Sequence, residues 1–233
     1  MQLSLPVSLP DDETFDSFLE ADNEFTASYL KKFCHRDNEN KKSLCYLFGS
    51  SGVGKSHLLF ACCHQATLNG LQTVYLNMLE LRDMPTEVIG NIADYDVICI
   101  DNLHEIAGNQ AWERNIFDLI NQVLERNHRP RIIMSAYASP LVVGFKLPDL
   151  VSRLTWGAVF QLASRTDESL CHIIQFRIEH RGLEASEDCI KFLLTRVDRE
   201  LSNLMLIVDE LDKKSLQAKR KLTIPFIKQA LDL

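Results

Sequence analysis

The chain has 233 residues, 46% of them hydrophobic, and a formal net charge of −7. That length and apolar content suit one medium domain with a smaller companion, or one large domain, and exclude a disordered chain. The negative charge speaks against a protein that coats nucleic acid, and with no run of about 18 apolar residues and no basic-then-apolar N-terminus, neither a membrane span nor a secretory signal is expected and the location should be cytoplasmic.

In chain order, residues 1–40 hold nine acids against three bases. Apolar runs of strand length follow at Leu44–Phe48, Thr73–Asn77, Val97–Ile100, Arg131–Ser135 and Ala158–Leu162, alternating with helical patterns. Such alternation predicts a mostly parallel sheet covered by helices, an α/β fold. The first helical pattern runs from His57 to Ala66. Within Trp112 to Asn127, Ile116, Phe117, Leu119, Ile120, Val123 and Leu124 recur at helical spacing and mark one buried face. After Leu162 only helices are predicted, over Thr166–Arg181, Ser186–Arg196, Arg199–Lys214 and Thr223–Leu231, the last capped by Thr223 with Pro225 in its first turn. The expected organisation is an N-terminal segment 1–11, an α/β nucleotide-binding domain 12–164, and a small helical domain 165–233 with its hinge near Ala163–Asp167. Residues 165–233 balance twelve acids against twelve bases, and Lys213, Lys214, Lys219, Arg220 and Lys221 cluster in what reads as a solvated helix end and turn.

Seven cysteines (34, 45, 62, 63, 99, 171, 189) without a C-x-x-C pair read as buried reduced thiols. His57, Cys62, Cys63 and His64 lie close in sequence but read as a helix face, since structural zinc takes paired, spaced ligands.

Gly49-Ser50-Ser51-Gly52-Val53-Gly54-Lys55-Ser56 spells G-x-x-x-x-G-K-[ST] between a predicted strand and a predicted helix. A strand feeding a glycine-rich turn and then a helix N-terminus aims consecutive backbone N–H groups, and the positive end of a helix dipole, at bound phosphate. Ser51, Gly52, Val53, Gly54, Lys55, Ser56 and His57 are therefore candidate nucleotide-binding residues, with Lys55 reaching the outer phosphates and the Ser56 hydroxyl on Mg²⁺. Val97-Ile98-Cys99-Ile100-Asp101-Asn102 is an apolar strand ending in an acid, and Asp101 is placed to hold the magnesium shell, partly through water. Its neighbour Asn102 accepts a proton poorly where a water-activating carboxylate would be needed.

The phosphate loop with Asp101-Asn102, Ser152-Arg153-Leu154-Thr155-Trp156-Gly157 and Asp198-Arg199-Glu200-Leu201 together resemble the AAA+ core of the bacterial replication initiator DnaA. Thr14-Phe15-Asp16-Ser17-Phe18 is similar to the short lead-in motif of that core, so the resemblance spans about residues 12–233. It implies an AAA+ fold with a five-stranded parallel sheet and a helical lid, an adenine nucleotide with Mg²⁺, Arg153 as an arginine finger acting in trans, and Arg199 as a sensor reaching from the lid to the nucleotide. The initiator family carries a helix-turn-helix domain beyond the lid, whereas this chain ends at Leu233. Only sixteen residues, Met78 to Ala93, separate the second strand from the run into the third, little room for helices that grip single-stranded DNA.

At the N-terminus, Gln2-Leu3-Ser4-Leu5-Pro6 is similar to the short peptides that dock on the sliding clamp of the replicative polymerase. Gln2, Leu3 and Leu5 would anchor in a groove, and Pro6 keeps the segment extended. The combination resembles a DnaA-related regulator that, with the DNA-loaded clamp (the β subunit of DNA polymerase III), makes the initiator hydrolyse its ATP. The expected partners are that clamp and DnaA, with DNA reached only through the clamp and no membrane.

The finger's neighbour is either the initiator or another copy of this chain, as a homo-oligomer. Where initiators carry a polar sensor after the fourth strand this chain has Ala136-Tyr137, with Ser135 the nearest small polar residue. With Asn102, this predicts weak or no intrinsic ATPase and a retained nucleotide, ADP in preference to ATP. Two other readings are a DNA-associated AAA+ ATPase or helicase loader, which needs a basic channel and a competent carboxylate, and a small-molecule P-loop kinase, which needs an arginine-rich substrate lid.

Overall fold

The computed structural model describes residues 13–19, 23–35, 43–126, 130–197, 201–218 and 221–232, with the side chains of residues 201 and 202 left aside. Five strands form one sheet: β1 (Leu44–Phe48), β2 (Thr73–Asn77), β3 (Val97–Asp101), β4 (Arg131–Ala136) and β5 (Ala158–Gln161). Their order is β2-β3-β4-β1-β5 and every pairing is parallel. All five strands coincide with predicted ones to within one residue at either end, because a sheet covered on both faces shows as short Val/Ile/Leu-rich runs.

The helices are α1 (Glu24–Phe33), α2 (Lys55–Leu68), the one-turn α3 (Met78–Leu81), α4 (Gln110–Glu125) and α5 (Pro148–Trp156), then α6 (Asp167–His180), α7 (Glu187–Leu194), α8 (Leu201–Ala218) and α9 (Ile224–Leu231). Between Met78 and Ala93 the chain makes only α3 and short 3₁₀ turns. Neither α1 nor α5 carries an apolar run long enough to stand out in the sequence. Helix α8 runs four residues beyond the predicted Lys214, to Ala218, keeping Leu211 and Ser215 on its buried side.

In α4, Trp112, Ile116, Leu119, Ile120 and Val123 are buried against strand residues such as Ile98, Ile100, Ile132 and Met134. Leu124 departs from the expected buried face and is 37% exposed. Successive helical residues point about 100° apart, so beside Val123 it falls off the stripe. The Trp112 indole N–H donates to the Arg82 carbonyl at 3.0 Å, which removes the cost of burying that polar group. Helix α2 packs on β2, β3 and β4 with Leu58, Leu59, Ala61, Cys62 and Cys63 buried. Cys62 and Cys99 are pushed well above the ordinary thiol range by burial, so these are neutral packing groups.

Contacts divide the chain into two units, the first ending at Ala163 and the second running from Ser164 and including Ser51–Val53. The second unit is a helical cluster around Leu170, Ile174, Ile190, Leu204, Val208 and Ile227. Thr166, Ser186 and Thr223 each cap the following helix by accepting from the backbone N–H three residues on, and Pro225 occupies the first turn of α9. Among the described residues no helix is long and apolar enough to cross a membrane.

Candidate functional site

Parallel strands end together, so the loops after β1, β2, β3 and β4 converge at one edge of the sheet. After β1 the chain turns with Gly52 (φ +74°) and Gly54 (φ +99°) in the left-handed region, and α2 starts at Lys55. Glycine reaches those angles at no steric cost. The Lys55 ammonium donates to the carbonyls of Gly49 at 2.9 Å and Ser50 at 2.7 Å. Burial lowers the Lys55 pKa, and Asp101 opposes that shift.

His57 donates from Nε2 to the Thr14 carbonyl at 2.8 Å, lies 3.3 Å from Ser17 Oγ, and packs its ring against Phe18. The lead-in residues Thr14–Phe18 are thereby tied to the start of α2. Arg165, which the sequence reading did not single out, donates from Nη2 to the Val53 carbonyl at 3.2 Å. One arginine after the last strand carries no distinguishing pattern in the sequence.

Asp101 closes β3 and is 1% exposed. Its Oδ1 accepts from the Ser135 hydroxyl and from the Asn102 N–H at 3.0 Å, and its Oδ2 accepts from the Tyr75 hydroxyl at 2.7 Å. Burial, followed by the Asp101 charge, drives the Tyr75 pKa far above the phenol range, so the phenol remains a donor. The sequence reading missed Tyr75, which is two register pairs away from the Asn77–Asp101 pair on β2 and β3 and so shares Asp101's face.

Asn102 sits in the left-handed region at φ +56°. Its N–H also lies 3.1 Å from Ser135 Oγ, and its side-chain amide donates to Asn77 Oδ1 at 3.0 Å. Ser135, the small polar candidate near the end of β4, is thus at Asp101, whereas Tyr137 is half exposed and meets the His104 ring edge-on at 4.9 Å. Burial lowers the His104 pKa; Glu105 opposes this, Lys55 adds to it and Asp101 opposes it.

These groups fit a magnesium nucleotide. The loop carbonyls holding Lys55 are exchangeable for phosphate oxygens, and Ser56 is half-buried at the first turn of α2, its hydroxyl without a hydrogen-bond partner among the described residues. A carboxylate offers about four acceptor positions, so three protein donors leave Asp101 about one for a metal-bound water.

Arg153 lies in the last turn of α5, its guanidinium carbon 4.8 Å above the centre of the Trp156 ring. It has no ion-pair partner among the described residues, and Trp156 is 67% exposed. Gln2–Pro6, Arg199, Lys219 and Arg220 lie outside the described residues. Within the basic cluster, Lys214 pairs with Glu210 and Lys221 with Glu184.

A parallel sheet ordered β2-β3-β4-β1-β5, with a phosphate loop after β1, an acid closing β3 and a helical unit after β5, is an AAA+ P-loop domain with a helical lid. The model of the bacterial DnaA ATPase domain matches residues 9–161, and the chain belongs to that family. Residues 167–231 match the model of the Hda lid domain, and the two matches together are consistent with Hda, the DnaA-related regulator.

Among solved structures, domain III of the Thermotoga maritima replication initiation protein DnaA is similar over 96% of this chain and 97% of that one, with a TM-score of 0.82 at 19% identity. AMPPCP-bound DnaA from Aquifex aeolicus is similar over 90% of this chain and 68% of that one, with a TM-score of 0.72 at 19% identity. The Thermotoga maritima RuvB Holliday junction branch migration motor follows at 0.71 and 15% identity, over 96% and 72%. At such identities the likeness is one of fold.

Proposed function

We propose that this chain is a nucleotide-holding AAA+ regulator that binds the DNA-loaded sliding clamp and stimulates hydrolysis of the ATP bound to a DnaA-type initiator, thereby preventing re-initiation of replication. The observation that carries this reading is the pairing of a DnaA-type ATPase domain with a lid of the Hda type in one chain. Gln2, Leu3, Ser4, Leu5 and Pro6 are the proposed clamp-binding peptide. The finger is Arg153, a half-buried residue that has no ion-pair partner among the described residues and whose guanidinium rests on the Trp156 ring. Placed beside the γ-phosphate of the initiator's ATP, it stabilises the charge that develops as the phosphoryl group departs, an effect of about 10³–10⁵ in rate.

The chain's own nucleotide, ADP in this reading, is held by the backbone of Ser51–Gly54 with Lys55, Ser56, His57 and Arg199, and Mg²⁺ by Ser56 and by Asp101 through water. When bound, the metal neutralises phosphate charge. Intrinsic turnover is low because the Asn102 amide cannot take a proton and is committed to Asn77. The same amide, with a net charge of −7, disfavours a DNA-associated motor or helicase loader.

The test is a reconstituted reaction with clamp loaded on DNA and ATP-bound initiator. Arg153→Ala should retain clamp binding and nucleotide while losing stimulation by at least a hundredfold, on the order expected for a finger. Deleting residues 1–6 should abolish capture on immobilised clamp. Full stimulation by Arg153→Ala would sink the finger, and undiminished capture of the truncated chain would sink the clamp peptide.

A further inference from the structure

Glu113 is a carboxylate with 0% exposure on the inner face of α4, where an acid is not expected without a partner. Its hydrogen-bond donors among the described residues are backbone amides. Oε1 accepts from Gly108 N at 2.6 Å and Lys146 N at 3.0 Å, and Oε2 from Lys146 N at 2.8 Å and Leu147 N at 2.7 Å.

Leu147 is the N-cap residue of α5, and it offers no side-chain cap; Pro148 follows at the first helical position without an N–H. The positive end of α5 is therefore served by an anion supplied from α4, in place of the serine or aspartate that usually stands at a helix start. At the other end of α5, a Cβ on Gly157 would lie 2.5 Å from the Leu44 carbonyl oxygen, so the helix terminus sits directly on β1. Leu150 and Leu154 bury the face between. Arg153 is thus carried on nine residues fixed at both ends, its guanidinium resting on Trp156.

We infer that Glu113 is a positioning residue for Arg153: by clamping Lys146 and Leu147 it sets the place of α5, and so the point at which the guanidinium meets the initiator's nucleotide. This rests on Arg153 being the finger. Displacing a catalytic group by about 1 Å can cost on the order of a hundredfold in rate. The loss belongs in the maximal rate, because the donors to Glu113 among the described residues are Gly108, Lys146 and Leu147 and none belongs to the phosphate loop.

The test compares the full chain with Glu113→Ala and Glu113→Gln. Stimulated hydrolysis of the initiator's ATP is followed against regulator concentration, and amide exchange is followed in the peptide spanning residues 143–152. Glu113→Ala should lower the maximal stimulated rate by roughly tenfold or more, leave the half-saturating concentration within about twofold, and speed exchange at Lys146 and Leu147. Glu113→Gln, which keeps one acceptor oxygen, should recover part of both. If the alanine variant does not fold, the glutamine variant carries the same two readouts. Wild-type maximal rate in a variant whose exchange is accelerated overturns the positioning role, and unchanged exchange overturns the clamp itself. If Arg153→Ala is without effect in the same assay, the finger reading fails, while the exchange measurement still decides whether Glu113 holds α5.

Discussion

Replacing Gly157 by alanine adds one methyl group at the point where α5 meets the sheet. Its backbone, φ −70° and ψ −167°, is open to any residue, so the need for glycine is one of space. The added carbon would lie 2.5 Å from Leu44 O, 2.8 Å from Leu44 Cβ and 2.9 Å from Leu44 C. Reaching ordinary contact at 3.4 Å requires a displacement of about 0.9 Å (3.4 minus 2.5). Leu44 cannot supply it cheaply, since β1 is paired with β4 on one side and β5 on the other. Overpacking of this kind costs about 1–3 kcal/mol. For a chain of this size each kcal/mol is worth about 2–4 °C, so the melting temperature of Gly157→Ala should fall by roughly 2–12 °C. Thermal unfolding followed by circular dichroism reads this directly, and stimulation of the initiator's ATPase at a temperature where the variant is folded reads the shift of Arg153. A variant that melts within about 1 °C of the wild type and stimulates fully would refute the reasoning.

Tyr75→Phe removes one donor from Asp101 and frees an acceptor position for metal-bound water. The affinity for ADP, measured with Mg²⁺ and with EDTA, should become more magnesium-dependent by roughly threefold or more, a small part of the weight of a hydrogen bond to a charged group; equal dependence in both proteins counts against it. His104 supplies a pH effect of definite sign. Its folded pKa is lowered, so the unfolded chain, with an ordinary value of about 6.5, binds the proton more readily. The stability this contributes is full above about 6.5 and is lost as pH falls from there through the folded value. The urea midpoint should drop less between pH of about 7.5 and 5.5 in His104→Gln than in the wild type, and equal drops would contradict the assignment.

The sheet was legible because each strand is an unbroken apolar run, and the phosphate loop because its glycines and lysine have fixed spacing. Glu113 left a fainter mark. It lies three residues before Ile116 and seven before Ile120, so an acid falls on an apolar stripe, but of the three amides that hold it two, at Lys146 and Leu147, are more than thirty residues away. Helix α5 was hidden for a related reason: nine residues with only Leu150 and Leu154 fully buried give too short a period to read. The network at Asp101 joins residues of β2, β3 and β4, whose proximity comes from strand order rather than from local pattern.

The left-handed backbone of Asn102 limits how this position could change. Asparagine and aspartate tolerate that conformation, whereas a glutamate would add about 1–2 kcal/mol of local strain. Aspartate escapes the strain but sets a second negative charge beside Asp101 and turns the contact with Asn77 Oδ1 from a hydrogen bond into a meeting of two oxygens. Placing a proton acceptor at the end of β3 therefore asks for a second change at Asn77 as well, so a single replacement at Asn102 does not suffice.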